Sequence, residues 1–291
     1  MYKKNIITII VFLFAFCFCC FAQEEIESDQ QITDFNLSGY SQQGKKSWDV
    51  KGKTADFLDE KVNLSDIDAN SYKDKDTINL VADKGVFDKA EGKLHLQENV
   101  VITTDSGARL VTDSLDWSQS EDLIDTQDKV NIEHPAFNAD GKGLKANPSL
   151  DKASLLKDVE VTLKDEDSNQ ESIQEESDER TVITCDGPLE VDYEKGMAIF
   201  YENVKASNSV QGDIYCDELF TFFKSNKTAD ESNDSLSDKG GKIDKIVAKG
   251  NVKIVKGENI TFSDEAVYDV VQKKIILTGT PKLFIYSDEM E

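Results

Sequence analysis

Few side chains in this chain have the type and spacing that chemistry needs. Its only histidines are His95 and His134. His95 stands between Leu94 and Leu96, on the wet side of a strand, and His134 precedes Pro135 in a turn. They share no obvious third ligand, so a metal centre is not expected. No Gly-x-Ser-x-Gly elbow and no phosphate loop occurs, and Gly141-Lys142-Gly143 lacks the further glycines and reads as a turn. Asp66-Ile67-Asp68-Ala69-Asn70 looks like the start of a calcium loop, but Ser71 holds the sixth position and Thr77 the twelfth, where glycine and glutamate are required. Trp48 and Trp117 are too few and too far apart to suggest the aromatic platforms of a carbohydrate-active enzyme. These residues point to no enzyme and imply no cofactor.

Cysteine is more informative. Three of the five, Cys17, Cys19 and Cys20, fall in one apolar N-terminal run, which leaves Cys185 and Cys216 in the body. An oxidising compartment permits a disulfide between these two, and two separate buried thiols are the alternative. The N-terminal run itself reads as an export segment. Lys3 and Lys4 precede the apolar stretch from Ile6 to Ala22, and Glu24, Glu25 and Glu27 follow. Residues 1–22 are therefore a signal peptide, cleaved after Cys20-Phe21-Ala22, or a retained membrane anchor. The cysteines there are preceded by Phe or Cys, which argues against a lipid-modified cysteine. The 57 acidic side chains outnumber the 33 basic ones and give a net charge of −24. That excess argues against nucleic acid as a partner.

The elements behind these residues form a weak repeat. A small residue followed by Asp recurs at Ala82-Asp83, Thr112-Asp113, Ala139-Asp140, Cys185-Asp186, Cys216-Asp217 and Ser263-Asp264. A polar residue followed by Val recurs downstream at Asn99-Val100, Lys129-Val130, Asp158-Val159, Asn203-Val204 and Asn251-Val252. In the first four units Asp and Val lie 17, 17, 19 and 18 residues apart, and in the fifth 35. Pro281 stands in the place of Val in the sixth. Around these pairs apolar residues alternate with polar ones, as in Val159, Val161 and Leu163, which predicts strands with one wet and one apolar face. Ala90-Glu91-Gly92, Asp105-Ser106-Gly107, Glu194-Lys195-Gly196 and Lys256-Gly257 are turn signals. Leu58 to Tyr72 fits a strand or a partly helical segment. The recurring Asp residues are expected to cap turns by accepting backbone N–H bonds.

The predicted fold is all-β: an elongated antiparallel β-jellyroll, or open two-layer repeat, in two modules. Residues 23–47 are a flexible lead, 48–164 the front module, 165–180 an acidic linker, and 181–291 the rear module with a disordered insertion at 224–242. One-faced strands must stack and turn their apolar faces inward. The inward residues are Leu96, Val100, Ile102, Val130, Ile132, Val159 and Val161 in front, and Val204, Ile246, Val252, Ile254, Ile275 and Leu277 behind. Alternation alone favours a closed core, as in a structural envelope scaffold, over an open groove.

Particular segments reverse that preference. Trp48-Asp49-Val50, Ala82-Asp83-Lys84-Gly85-Val86-Phe87-Asp88, Asn99-Val100-Val101-Ile102 and Gly141-Lys142-Gly143-Leu144 resemble the periplasmic part of the LptC family of lipopolysaccharide-export proteins. Gly250-Asn251-Val252-Lys253-Ile254, Ser263-Asp264-Glu265-Ala266-Val267-Tyr268-Asp269 and Leu277-Thr278-Gly279-Thr280-Pro281-Lys282-Leu283 resemble the OstA-like module of the LptA family. The resemblance spans Trp48 to Leu163 and Thr181 to Tyr286. It implies a periplasmic jellyroll whose inward residues form a groove that holds lipid acyl chains without covalent chemistry. The implied partners are lipopolysaccharide, an inner-membrane ABC export complex that energises flow, and an outer-membrane assembly receptor or further bridge modules joined by edge-strand addition. The chain departs from the pattern by carrying both modules, each short, and by its insertion at 224–242.

Overall fold

A computed structural model describes residues 30–41, 43–73, 76–105, 107–118, 120–147, 152–164, 180–223, 243–270 and 272–286. The N-terminal apolar run, the acidic stretch 165–179 and the insertion 224–242 lie outside the described residues. All the regular structure described is β. The strands are β1 (Gln30–Tyr40), β2 (Lys46–Leu58), β3 (Lys61–Lys73), β4 (Asp76–Asp88), β5 (Lys93–Thr104) and β6 (Arg109–Ser118). β7 (Leu123–Glu133), β8 (Phe137–Ala146), β9 (Lys152–Leu163), β10 (Thr181–Cys185), β11 (Leu189–Asp192) and β12 (Met197–Asn208) follow. β13 (Gly212–Phe223), β14 (Ile243–Lys256), β15 (Asn259–Asp269), β16 (Lys274–Thr278) and β17 (Lys282–Phe284) complete the set.

The strands make one antiparallel sheet of 17 in which sequence neighbours pair. Two of the apparent strands are halves of one. β10 and β11 both pair with β9 on one side and β12 on the other, interrupted only by Asp186-Gly187-Pro188. β16 and β17 both pair with β15, interrupted by Gly279-Thr280-Pro281. Proline offers no N–H to a ladder, so each pair breaks at its proline.

Most strands bend at their middle. In β5 the register slips between Gln97 and Val100, leaving Glu98-Asn99 opposite a single position on each neighbouring strand. Glu98 and Asn99 both adopt left-handed conformations, with φ of 64° and 53°. Glu202-Asn203, Gly250-Asn251 and Gly279-Thr280 repeat this double left-handed step. Such bulges kink a strand and increase its twist. They recur near the middle of successive strands, where each kinks its strand.

The bend also resets the alternation. On β4 the inward residues Ala82 and Gly85 are three apart, as are Cys216 and Leu219 on β13 and Ser263 and Ala266 on β15. On β5, β12 and β14 the inward residues flanking the bend are four apart: Leu96 and Val100, Phe200 and Val204, Ala248 and Val252. A strand with one extra residue thus alternates with a strand with two.

The buried core runs inside the fold in three clusters. Phe35, Ala55 and Val62 form the first, and Ile67, Ala82, Leu96, Val100, Ile102 and Leu115 the second. The third extends from Val130 on β7 to Ala266 on β15 and takes in Leu155, Val159, Ile183 and Phe200. It crosses the position of the acidic stretch without a break, because β9 pairs directly with β10 and β11.

One expectation needs correcting here. Residues 23–47 are not a flexible lead throughout: Gln30–Tyr40 is β1, paired with β2. Its inward residues Ile32 and Phe35 flank Asp34, whose φ is 51°, so a bend again shifts the alternation and hides the strand. Phe35 lies over Gly52 on β2, where an added Cβ would collide with its ring. Of the two readings left open for Leu58 to Tyr72, the strand is the one found: β3 follows a turn at Asp59-Glu60.

Candidate functional site

The bend line gathers the recurring sequence pairs. The small residue of each small-Asp pair faces inward at the fold: Ala82, Thr112, Ala139, Cys185, Cys216 and Ser263 are all buried. The Val of each polar-Val pair sits beside it. Val100 pairs with Thr112, Thr112 with Val130, Val159 with Cys185, Val204 with Cys216, and Val252 with Ser263. Alternating Val with a smaller side chain lets the inner face pack densely at the bend.

The Asp and Asn members face outward and join across strands. Asn99 Nδ2 donates to Asp83 Oδ2 at 2.6 Å, Asn203 Nδ2 to Asp186 Oδ2 at 2.8 Å, and Asn251 Nδ2 to Asp217 Oδ2 at 2.8 Å. These aspartates therefore hold mid-strand bends and do not cap turns. Asparagine suits the place twice over, as a residue that tolerates left-handed backbone and as an amide donor.

The expected groove residues divide by distance from the bend. Val100, Val130, Val159, Val204 and Val252 lie on it and are at most 2% exposed. Leu96, Ile102 and Val161, one step away, are also buried. Further out, Ile132, Ile246, Ile254 and Leu277 are half-buried against the same core. Ile275, on the terminal strand, is 53% exposed. The inward apolar row is therefore packed at the bend and half-exposed toward the strand ends, where it presents apolar surface.

Both ends of the sheet show apolar side chains. Among the described residues β1 pairs with β2 alone, and Ile32, Leu37 and Trp48 are exposed at that corner. β16 and β17 pair, among the described residues, with β15 alone, and Ile275, Leu283 and Ile285 are exposed nearby. The exposed residues at the β1 end were hidden in the sequence by the shift at Asp34. Trp48 carried a readable signal, since it alternates with Val50.

Polar groups outside the inward apolar row have structural partners. Asp49 is 2% exposed and accepts from Tyr72 Oη at 2.7 Å and Asn70 Nδ2 at 3.1 Å. Lys46 forms an ion pair with it. These contacts, that of Lys46 foremost, lower its pKa to about 2. His95 Nδ1 lies 2.6 Å from Asp116 on the outer face, and His134 stacks on Phe137. Burial, with Lys164 adding to it, lowers the His134 pKa. No group of metal-binding side chains occurs among the described residues. Cys185 and Cys216 are free buried thiols, so the disulfide considered for them is not formed. They flank Val204 from strands on either side of β12, two strand spacings or about 10 Å apart, beyond the reach of an S–S bond. Burial raises their pKa values to about 11 and about 12.

A family described as lipopolysaccharide-assembly, LptC-related, matches residues 9–164. The chain belongs to this LptC-related family. No curated protein matches the chain. The family is a non-enzymatic component of lipopolysaccharide transport and assembly, associated with the periplasm and envelope, and works with the transport machinery. The match ends where β9 ends, yet the same architecture continues beyond it. The Asn–Asp lock seen at Asn99 within the matched part recurs at Asn203 and Asn251 outside it. No helix among the described residues is long and apolar enough to cross a membrane.

Proposed function

We propose that this LptC-related protein shields the acyl chains of lipopolysaccharide in a trough along the inward apolar row of its bent sheet. The observation that carries the reading is the graded exposure of the inward apolar row. Val204 and Val252 are sealed at the bend, Ile132, Ile246 and Ile254 are half-open on the walls, and Ile275 is open at the end. A closed sandwich would bury the walls as well. Acyl chains laid along them would be stabilised by roughly 0.8 kcal/mol per CH₂ removed from water. No covalent step is required, and direction comes from an energised inner-membrane ABC export complex.

The sides of β1 and of β16–β17 that carry no pairing among the described residues suit strand addition by neighbouring components, at the inner-membrane complex and toward an outer-membrane receptor or bridge module. On this reading residues 181–291 act as an LptA/OstA-like module fused to the LptC-like one at 48–164, with 165–180 as the tie. The family match begins at residue 9, inside the apolar run, which supports a membrane anchor over a cleaved signal.

Photo-crosslinking in cells tests the trough. A photoreactive residue at Ile246 is expected to capture lipopolysaccharide, and one at Lys245, on the outer face, is not. If neither captures lipid from folded, exported protein, the interior is a filled core and the chain is an envelope scaffold.

A further inference from the structure

The outer face of the rear sheet carries a regular array with no part in the trough. Register places Lys205, Tyr215, Lys253, Phe262 and Lys282 directly opposite one another on successive strands from β12 to β17. The chain neighbours Val204, Cys216, Val252 and Ser263 are buried, so the first four point outward, and register sets Lys282 opposite Phe262. The Nζ atoms of Lys205 and Lys253 stand 5.5 and 5.4 Å from the Tyr215 ring centre, one from each side. Phe262 is packed edge-on by Phe284 and remains 41% exposed. An open hollow of about 520 Å³ lies over this array, and its lining includes Tyr215, Lys253, Phe262, Asp264, Thr280 and Lys282.

The array sets three lysines in one row of a chain whose net charge is −24. Lys205 has a carboxylate partner, Asp213 at 3.3 Å. Lys253 and Lys282 form no ion pair among the described residues. Two lysines and two aromatic rings share the hollow with one carboxylate, that of Asp264. Like groups recur every second strand, about 10 Å apart, a separation that a disaccharide spans.

We propose that this hollow binds an anionic sugar. Aromatic rings offer flat apolar faces to pyranose rings, and the lysines meet carboxylate or phosphate substituents. The spacing suits a ligand with sparse charge and broad ring faces. A densely charged polyanion such as nucleic acid would be repelled by the acidic remainder of the chain. The hollow lies on the opposite side of the sheet from the trough, so the proposal stands or falls independently of lipid carriage.

Calorimetric titration of the full chain tests it. A galacturonate tetrasaccharide is expected to bind, with affinity falling as salt rises, and neutral maltotetraose is not. The double variant Lys253→Gln, Lys282→Gln and the single variant Phe262→Leu should each weaken binding about tenfold. Lys129→Gln, on the outer side of β7, should leave it unchanged. All these sites are at the surface, and circular dichroism confirms that the variants fold. Deacylated lipopolysaccharide glycan, titrated in parallel, distinguishes the sources: tighter binding than the galacturonate assigns a lipid-borne sugar, weaker binding a free acidic glycan. The proposal is overturned if no anionic sugar binds, if maltotetraose binds equally well, or if the variants bind as the parent does. It is also overturned if a glutamate-rich peptide competes with equal affinity, which would make the surface a peptide site.

Discussion

Asn99 on β5 donates to Asp83 on β4 at 2.6 Å across the bend of the sheet, and its own backbone there is left-handed with φ of 53°. One side chain thus satisfies a bulge geometrically and ties it to its neighbour. Asn203 with Asp186 and Asn251 with Asp217 do the same in the rear half. The bend is held by a series of such ties.

Removing a tie should loosen the bend. Asn203→Ala loses the amide donor and places a β-branch-free but unsuited residue in left-handed backbone, and should cost about 1–2 kcal/mol. Asn203→Asp keeps the backbone preference but sets a second carboxylate against Asp186. It should cost more than Asn203→Ala at low salt, because the two carboxylates repel, and less as salt rises. Urea unfolding at low and high salt checks the pair.

The sequence showed the alternation, the turns at Gly92, Gly196 and Gly257, and the recurring Asp and Val pairs. It did not show that those pairs meet. Asp83 and Asn99 lie on different strands, and only the register brings them opposite. Nor did it show β1, because the one-residue shift at Asp34 breaks the period on which strand recognition depends. The site was legible as a list of inward residues but not as a packed bend with half-exposed strand ends. Val252 and Ile254 have the same pattern in sequence, and only their distance from the bend separates a packed residue from an open one.

Glycine position matters at two bends. Gly250 has φ of 73° and faces the Asp217 carboxylate, and Gly279 has φ of 77° and faces that of Asp264. Gly250→Ala should destabilise by about 1–3 kcal/mol, from left-handed strain and the collision with Asp217. Glu202 occupies the equivalent place in β12 with φ of 63°. Glu202→Gly should be neutral or stabilising by up to about 1 kcal/mol, since relief of strain opposes the greater freedom of the unfolded chain. Opposite signs in thermal unfolding would establish the shared geometry.

Asp49 gives the front end a specific pH response. Its pKa falls from the ordinary 3.8 to about 2 through Lys46, Tyr72 and Asn70. A carboxyl lowered by folding stabilises the native state above its unfolded pKa, and that contribution fades as pH falls through the folded value. The stability difference between the parent and Asp49→Asn should therefore be full at pH 5 and shrink between about pH 4 and pH 2. A difference that does not vary with pH would mean that Asp49 acts through shape alone.

The two thiols should be chemically silent in the native state. Burial holds Cys185 and Cys216 protonated up to about pH 11 and about pH 12, and their separation prevents a bridge. Iodoacetamide at pH 8 should leave both unmodified in folded protein and modify both in urea. A reductant should not move the unfolding midpoint.

Floor and walls should respond differently to truncation, and this separates stability from carriage. Val204 is 1% exposed on the bend and packs between the two thiol-bearing strands. Val204→Ala leaves a cavity there and should cost about 1–3 kcal/mol. Ile246 is half-buried on the wall, where solvent already reaches part of its side chain. Ile246→Ala should cost less stability because the space it vacates opens to the trough. Polar replacement sharpens the contrast. Ile246→Asp should be tolerated in the folded protein, since its carboxylate can reach water, but should abolish lipid capture by a photoreactive residue placed at Ile254 on the same strand. Val204→Asp should prevent folding, because the charge has no route to solvent. If Ile246→Asp unfolds the protein as Val204→Asp does, the walls are as closed as the floor and the trough does not open.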